Sequence, residues 1–196
     1  MFDFAAIKRV EFDSVIEKYI KQKEKLLEFS TVIEAHESMV EEAVWVAKLI
    51  TGSKTMLPKS TEEVLQMFAE GRSVLIIDDR GQPIAHGAIT FVLNEVKVLE
   101  LGAIIVDPEK RGVGFGMLAA EAVVGLASVK YPGWKKMALC NNASLPIFLN
   151  LGAQIVTFEN LNEIPKETWE ACFDCPSYKL AINQGKICCD TPVIIP

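Results

Sequence analysis

A glycine-rich segment in the second half of the chain constrains the fold more than any other feature. Residues 106–116 read VDPEKRGVGFG, and they follow a strand-like apolar run and precede an alanine-rich helical stretch. Proline blocks further strand pairing, whereas glycine permits positive φ and close approach of the backbone to a ligand. The first amides of a helix lack internal partners and attract anions. The segment therefore predicts a strand, a turn and a helix that together cradle a pyrophosphate.

Other interpretations of these glycines are weaker. A dinucleotide-binding loop requires Gly-x-Gly-x-x-Gly, but the spacing here is Gly-x-Gly-x-Gly, and no acidic ribose partner is convincingly placed. A nucleotide triphosphate loop requires Gly-Lys-Ser or Gly-Lys-Thr, which the sequence lacks. Glycines that serve only tight packing of a strand against a helix remain an alternative.

Composition limits the classes of function. The chain has 196 residues and a net charge of −6, with the charges interspersed, so it offers no basic footprint for nucleic acid. No apolar run reaches the roughly 18 residues of a membrane span, and the start of the chain lacks the features of a secretory signal. We therefore expect a cytoplasmic protein without nucleic-acid or membrane partners.

Hydrophobic periodicity and turn residues predict an α/β (α+β) fold, a mixed sheet with helices on its faces. Ser60 and Glu63 form a capping-box pattern, which predicts the start of a helix. Asp79-Arg80-Gly81 predicts a hairpin turn. The predicted strands are 4–10, 74–77, 84–93, 96–106, 136–140 and 153–158, and the predicted helices begin near residue 13 and occupy 31–50, 60–68, the stretch after 116, and 144–150.

Two motifs resemble the GCN5-related N-acetyltransferase (GNAT) superfamily. The family signature Arg/Gln-x-x-Gly-x-Gly/Ala, with a common preceding proline, is met by Arg111, Gly114, Gly116 and Pro108. The pattern Asn-x-x-Ala/Ser-x-x-Leu-Tyr-x-x-x-Gly is matched at Asn141, Ser144, Ile147 and Gly152. The resemblance implies a mostly antiparallel central sheet with helices on both faces. It covers residues 73–158 well and the first 70 residues loosely, so we expect an acetyltransferase domain over residues 1–158. The cysteine-containing extension at 159–196 lies outside the general family pattern, and we expect it to pack on the same domain.

The resemblance also implies that the chain binds acetyl-CoA in a slot where the fourth and fifth strands splay apart. The backbone of Ile104, Ile105 and Val106 would pair with the pantetheine arm. The residues that would hold the pyrophosphate are Arg111, Gly112, Val113, Gly114, Phe115 and Gly116. On the far side of the slot the cofactor-binding candidates are Asn141 and Ser144.

Acetyl transfer to an amine requires a base, and backbone amides before the loop can polarise the thioester carbonyl. Glu100 is the first candidate base because it lies in an otherwise apolar strand, where partial burial would raise its pKa. His86 on the preceding strand is the second candidate. Many family members have a tyrosine as general acid where this chain has Phe148. Because a thiolate is a good leaving group, this difference does not exclude catalysis.

The acceptor is expected to be a primary amine of a small molecule. Residues 57–60, Leu-Pro-Lys-Ser, resemble a Leu-Pro-Arg-Ser segment of stand-alone amino-acid N-acetyltransferases of the N-acetylglutamate synthase type. An amino acid is therefore one expected acceptor, with direct transfer in a ternary complex. The alternative function is a non-catalytic module that binds or senses acyl-CoA, or binds a partner protein. Members of the family often form dimers through their C-terminal strands, so the resemblance also implies a homodimer.

Four of the five cysteines lie close together near the end of the sequence, at Cys172, Cys175, Cys188 and Cys189. The Cys-x-x-Cys spacing of the first pair is common in structural zinc sites. Packed free thiols and a disulfide are the two alternatives that the sequence leaves open. A metal bound here would fasten the end of the chain and would take no part in chemistry.

Overall fold

The computed structural model describes residues 20–53, 55–156 and 191–196. Within these ranges the strands are β1 (Ser30–Glu34), β2 (Ser73–Asp78), β3 (Pro83–Leu93), β4 (Val98–Val106), β5 (Lys135–Cys140), β6 (Gln154–Ile155) and β7 (Thr191–Ile195). The helices are α1 (20–27), α2 (Val40–Gly52), α3 (Thr61–Ala69), α4 (Phe115–Lys130) and α5 (Leu145–Asn150), with a 3₁₀ turn at Pro108–Lys110. The described strands form one sheet in the order β1-β2-β3-β4-β5-β7-β6. Neighbours are antiparallel except β4 and β5, which are parallel.

Helices cover both faces of the sheet. Helix α4 packs on one face, where Phe115 and Leu118 join buried side chains of β2 and β3. Helices α2 and α3 cover the other face, where Val46 and Phe68 pack with Leu75. The predicted mixed sheet with helices on both faces is confirmed. None of the described helices is long and apolar enough to cross a membrane.

The predicted start of α3 is confirmed in atomic detail. Ser60 Oγ accepts a hydrogen bond from the Glu63 amide at 3.2 Å, and a Glu63 carboxylate oxygen accepts one from the Ser60 amide at 2.6 Å. Two amides that the helix cannot satisfy are therefore bonded reciprocally. This cap fixes where the chain leaves the loop at 57–60, which lies beside the candidate site.

The predicted hairpin of β2 and β3 is also present. Asp78 Oδ1 accepts hydrogen bonds from the amides of Arg80 and Gln82, and Gly81 adopts a φ of 79°. An aspartate that bonds the backbone two residues ahead is a common way to nucleate a turn.

The prediction of one helix over residues 31–50 is wrong in its first part. Residues 30–34 form β1, which pairs antiparallel with β2, and the helix begins only at Val40. Three consecutive β-branched residues, Thr31, Val32 and Ile33, favour an extended backbone. The partner strand decides the outcome, because β2 offers an edge for β1 to pair with.

Strand β7 is not among the strands that the sequence predicts. It lies between β5 and β6 and is antiparallel to both. The predicted strand at 4–10, the start of the first predicted helix, the end of the strand at 153–158 and the four clustered cysteines lie outside the described residues.

Candidate active site

The site begins where β4 and β5 separate. Their parallel pairing covers three positions, the last of which joins Glu100 to Met137. Beyond that point β4 continues to Val106 along β3, while β5 continues to Cys140 along β7. Along the described chain, the β5-facing edge of residues 101–106 therefore has no strand partner, and the gap between the two diverging strands is called the slot below. This is the splay that the sequence analysis expected.

The glycine loop closes one end of the slot. Gly112 and Gly114 have φ values of 81° and 112°, and Gly114 is the N-cap of α4, a helix of 16 residues. Arg111, Gly112 and Val113 are exposed, so this turn is open to solvent. A helix start carries unpaired amides and a partial positive charge. The residues present fit a pyrophosphate, as the motif predicts.

Helix α1 packs against this loop. The amide nitrogen Nε2 of Gln22 donates to the Val113 carbonyl at 2.7 Å. A Cβ placed on Gly114 would lie 3.0 Å from Gln22 Nε2 and 3.2 Å from Leu26 Cδ1. The left-handed backbone at 114 therefore favours glycine, and a larger residue would in addition displace the ends of the Gln22 and Leu26 side chains.

On the far side of the slot, Asn141 and Ser144 form a compact turn after β5. Asn141 Oδ1 accepts hydrogen bonds from the amides of Ala143 and Ser144, at 2.9 and 3.1 Å. Ser144 Oγ accepts from the Asn141 amide at 3.1 Å. Both side chains thus shape the start of α5. Phe148, on this helix, is only 2% exposed and packs in the main core.

Glu100 occupies the position at which β4 and β5 part. Its neighbours Leu99 and Leu101 belong to the core under α4, so alternation turns Glu100 toward the face covered by α2 and α3. The Thr90 hydroxyl lies 2.7 Å from a Glu100 carboxylate oxygen. Burial raises the pKa of Glu100, while the bond from Thr90 and the charge of Lys59 partly oppose that rise. A carboxylate with a raised pKa is a better base than an ordinary one.

Lys59 lies close enough to Glu100 to act on its pKa. It is half-buried, and its carbonyl accepts a hydrogen bond from the Thr51 hydroxyl at 3.3 Å. The loop that carries Lys59 is thus tied to the end of α2 and to the cap of α3. A cation held beside a base can bind an anionic group of an acceptor.

His86 is fully buried between β2 and β4. One ring nitrogen, Nδ1, lies 3.0 Å from the Ala103 carbonyl oxygen. Burial lowers the pKa of His86 to about 4, against a smaller opposing effect of that hydrogen bond. The structure thus places Glu100, the edge of β4 and the glycine loop one after another along β4 and the turn that follows it, and it seats His86 in the adjoining core.

Thr90 and Lys59 were not singled out as partners of Glu100 by the sequence. Among the residues that the structure describes, no group of three or more His, Cys, Asp or Glu side chains could hold a metal ion. Because Cys172, Cys175, Cys188 and Cys189 are outside those residues, the zinc site stays a prediction.

No family model and no curated protein matches the sequence. Solved structures do match. N-acetylglutamate synthase from Neisseria gonorrhoeae, complexed with coenzyme A and N-acetyl-glutamate, superposes with a TM-score of 0.61 at 15% identity, over 85% of this chain. A Mycobacterium tuberculosis protein in complex with CoA gives 0.59 at 16% identity over 84% of this chain. A GNAT superfamily phosphinothricin acetyltransferase from Sinorhizobium meliloti, in complex with AcCoA, gives 0.53 at 18% identity over 65%.

The matches differ in how much of each partner is involved. The superposition covers 35% of the gonococcal enzyme, 98% of the mycobacterial protein and 76% of the Sinorhizobium enzyme. This chain therefore spans about a third of the length of the gonococcal synthase. At these identities the likeness establishes the architecture. The resemblance predicted from two sequence motifs is confirmed at that level, and the chain has the fold of the GNAT acetyltransferases.

Proposed function

We propose that the protein transfers the acetyl group of acetyl-CoA to a primary amine of a small molecule. The observation that carries the proposal is the slot itself. Among the described strands, the edge of β4 at 101–106 has no partner, and it runs directly into a glycine turn at the start of a long helix, while a carboxylate with a raised pKa lies at the other end. One end suits a pyrophosphate, and the other suits the deprotonation of an amine.

In this proposal acetyl-CoA lies along β4. Its pyrophosphate accepts hydrogen bonds from amides of residues 112–116, and its pantetheine arm pairs with the backbone of residues 104–106. Asn141 and Ser144 border the opposite wall. An extended ligand that pairs with a strand edge obtains affinity from main-chain hydrogen bonds, whatever the side chains are. The support is the edge of β4, which has no partner strand in the part of the chain that the structure describes, and the exposed loop, together with the CoA that the similar structures contain.

The reaction proceeds in one ternary complex. The amine nitrogen attacks the thioester carbonyl carbon, the C–S bond breaks, and the amine proton passes to the Glu100 carboxylate, directly or through water. Amides of β4 stabilise the charge that develops on the carbonyl oxygen. Phe148 cannot donate a proton to the leaving sulfur, so CoA departs as thiolate, which is acceptable because a thiol has a pKa near 8.5.

The acceptor in this proposal is an amino acid. The half-buried ammonium of Lys59 would bind the substrate carboxylate while Glu100 faces the amine. Two groups of opposite charge side by side match the two ends of an amino acid. The occurrence of N-acetyl-glutamate in a structure with the same fold agrees with this class of substrate.

The test combines binding and turnover. Calorimetric titration with acetyl-CoA should give micromolar affinity, and CoA release should then appear with amino acids and be weaker with the corresponding amino-acid amides. Glu100→Gln should lower kcat by about 100-fold, within the range for loss of a general base, and leave acetyl-CoA affinity nearly unchanged. Glu95→Gln, an exposed change in the turn between β3 and β4, is the matched control and should have no effect.

The outcomes separate the alternatives. Absence of binding at millimolar acetyl-CoA would mean that the slot does not bind this cofactor, and it would refute the proposal. Binding without CoA release on any amine would favour the non-catalytic acyl-CoA sensor, for which the buried Phe148 is the specific support. Full activity of Glu100→Gln would remove Glu100 from the mechanism.

A further inference from the structure

Strand β4 departs from regular pairing beside the slot. His86 is paired with Ile105 and Ala88 with Gly102, so β4 holds one residue more than β3 between these pairs. Such an extra residue is a β-bulge. Ala103, inside it, has a φ of 48°, a left-handed conformation that a residue with a Cβ rarely adopts. A strained conformation of this kind persists only when its surroundings hold it.

The side chain of His86 is in position to hold this bulge. Its Nδ1 lies 3.0 Å from the Ala103 carbonyl oxygen. A carbonyl oxygen only accepts hydrogen bonds, so Nδ1 must carry the proton. The ring is neutral at neutral pH because burial lowers its pKa to about 4, and Nε2 is therefore unprotonated. Among the described residues, Nε2 has no hydrogen-bond partner, and the ring packs near Phe68 with centroids 6.1 Å apart.

The direction of one peptide group follows from this bond. In a planar trans peptide the C=O and N–H groups point in opposite directions. Because the Ala103 carbonyl points to the His86 ring, the Ile104 amide points away from it. Ile104 begins the stretch of β4, residues 104–106, that is proposed to pair with the pantetheine arm. The bond therefore fixes the orientation of an amide at the place where the thioester would lie.

We propose that His86 is a positioning residue, which donates Nδ1–H to the Ala103 carbonyl and thereby aims the Ile104 amide at the thioester oxygen. The inference rests on the proposed function for its effect on turnover. It assigns His86 a role in geometry, while Glu100 exchanges the proton. An amide already aimed at the developing charge requires no reorganisation during the reaction.

Packing alone does not explain a histidine here. Its Nε2 is a buried acceptor without a partner among the described residues, which is unfavourable. An apolar side chain of similar size would fill the space beside Phe68 without that cost. The feature that only a histidine-like side chain supplies is the donor at Nδ1.

Nitrogen-15 NMR of the unmodified protein tests the anchor directly. The chain has two histidines, and a His36→Gln variant assigns the signals because His36 is exposed. His86 should show a neutral ring protonated at Nδ1, and this state should persist between about pH 5 and 8. A ring protonated at Nε2, or one that titrates near its ordinary value of about 6.5, would overturn the proposal whatever the activity.

Three variants test the effect on the reaction. An asparagine at 86 places its amide nitrogen where Nδ1 stood, a glutamine places it one bond further, and a leucine has no donor. His86→Leu and His86→Gln should lower kcat by roughly 10- to 100-fold, the scale of a small misplacement, and change the calorimetric affinity for CoA by less than about threefold. His86→Asn should restore kcat to within about threefold of the wild-type value.

The two failures can be told apart. A wild-type kcat in His86→Leu, or no advantage of asparagine over glutamine when both variants melt at similar temperatures, would overturn the positioning role. Absence of acetyl transfer in the unmodified protein would overturn the proposed function and this role in it. The NMR spectrum would still decide whether His86 anchors Ala103.

Discussion

Replacing either of two glycines, Gly87 and Gly125, by alanine should change the stability of the fold in opposite directions. A Cβ on Gly87, in β3, would lie 3.0 Å from the backbone carbonyl oxygen of Ala119 and 3.0 Å from Cδ1 of Ile104. A Cβ on Gly125, exposed in the interior of α4, would have no neighbour within 4 Å. Neither position has a positive φ, so backbone strain does not separate them.

The size of each effect follows from these contacts. At Gly87 one obstacle is helix backbone, which can yield only if α4 moves, and overpacking of this kind costs about 1–3 kcal/mol. The reduced freedom of the unfolded chain offsets roughly 0.4–1 kcal/mol of that. From the middle of those two ranges, we expect Gly87→Ala to lower the free energy of unfolding by about 1.3 kcal/mol. Gly125→Ala should raise it by about 0.5–1 kcal/mol, the usual gain in a helix interior.

Urea unfolding followed by circular dichroism, with both variants measured beside the wild type, is the assay. The expected difference between the two variants is about 2 kcal/mol. In a thermal melt, this difference would separate their melting temperatures by about 4–8 °C for a chain of this size. If Gly87→Ala were as stable as the wild type while Gly125→Ala gained stability, α4 could retreat from β3 at little cost. Helix α4 would then not be held firmly against the bulged region, and the predicted overpacking at Gly87 would be refuted.

Three further predictions concern the slot and its walls. Thr90→Val keeps the shape of the side chain but removes the hydrogen bond that favours the ionised Glu100 carboxylate. The pKa of Glu100 should therefore rise, and the rising limb of the plot of kcat/KM against pH should move to higher pH. An unchanged profile would mean that another group titrates. Gly114→Asp should weaken acetyl-CoA binding by more than about tenfold, since it adds strain and a negative charge at the proposed phosphate site. Gly133→Asp is the control, because Gly133 also has a positive φ but lies outside the slot, and this variant should bind normally by calorimetry. Cys140 is fully buried, and burial raises the pKa of its thiol to about 11. In the native protein it should therefore resist alkylation at about pH 8, as judged by peptide mapping, and labelling as fast as in urea would contradict that burial.

Features whose geometry is encoded locally were predictable from the sequence. The capping box at Ser60 and the turn at Gly81 each depend on a few consecutive residues, and both form as predicted. The glycine loop belongs to the same class, because Gly112 and Gly114 adopt the left-handed backbone that their residue type permits. Glu100 could be singled out because a charged residue in an apolar strand is unusual.

Features that depend on distant partners were not predictable. The sequence predicts a helix over residues 31–50, although residues 30–34 form a strand, because the local pattern does not indicate the pairing with β2. Thr90 could not be matched to Glu100, since the shifts of register between β3 and β4 change which residues lie opposite each other. Ala103 adopts a left-handed backbone, but its residue type gives no indication of it, as a glycine would. In each case the decisive information lies in the partner strand.

The place of β7 has a consequence for how the protein is made. Among the described strands, β5 is joined to β6 through β7, whose residues come late in the sequence. Until Thr191–Ile195 have been synthesised, β5 has an open edge, and open edges invite pairing with other chains. Contacts between distant parts of a sequence also form slowly. A nascent chain halted before residue 191 should therefore be a substrate for chaperones and prone to aggregation, even though its glycine loop at 112–116 has already been synthesised.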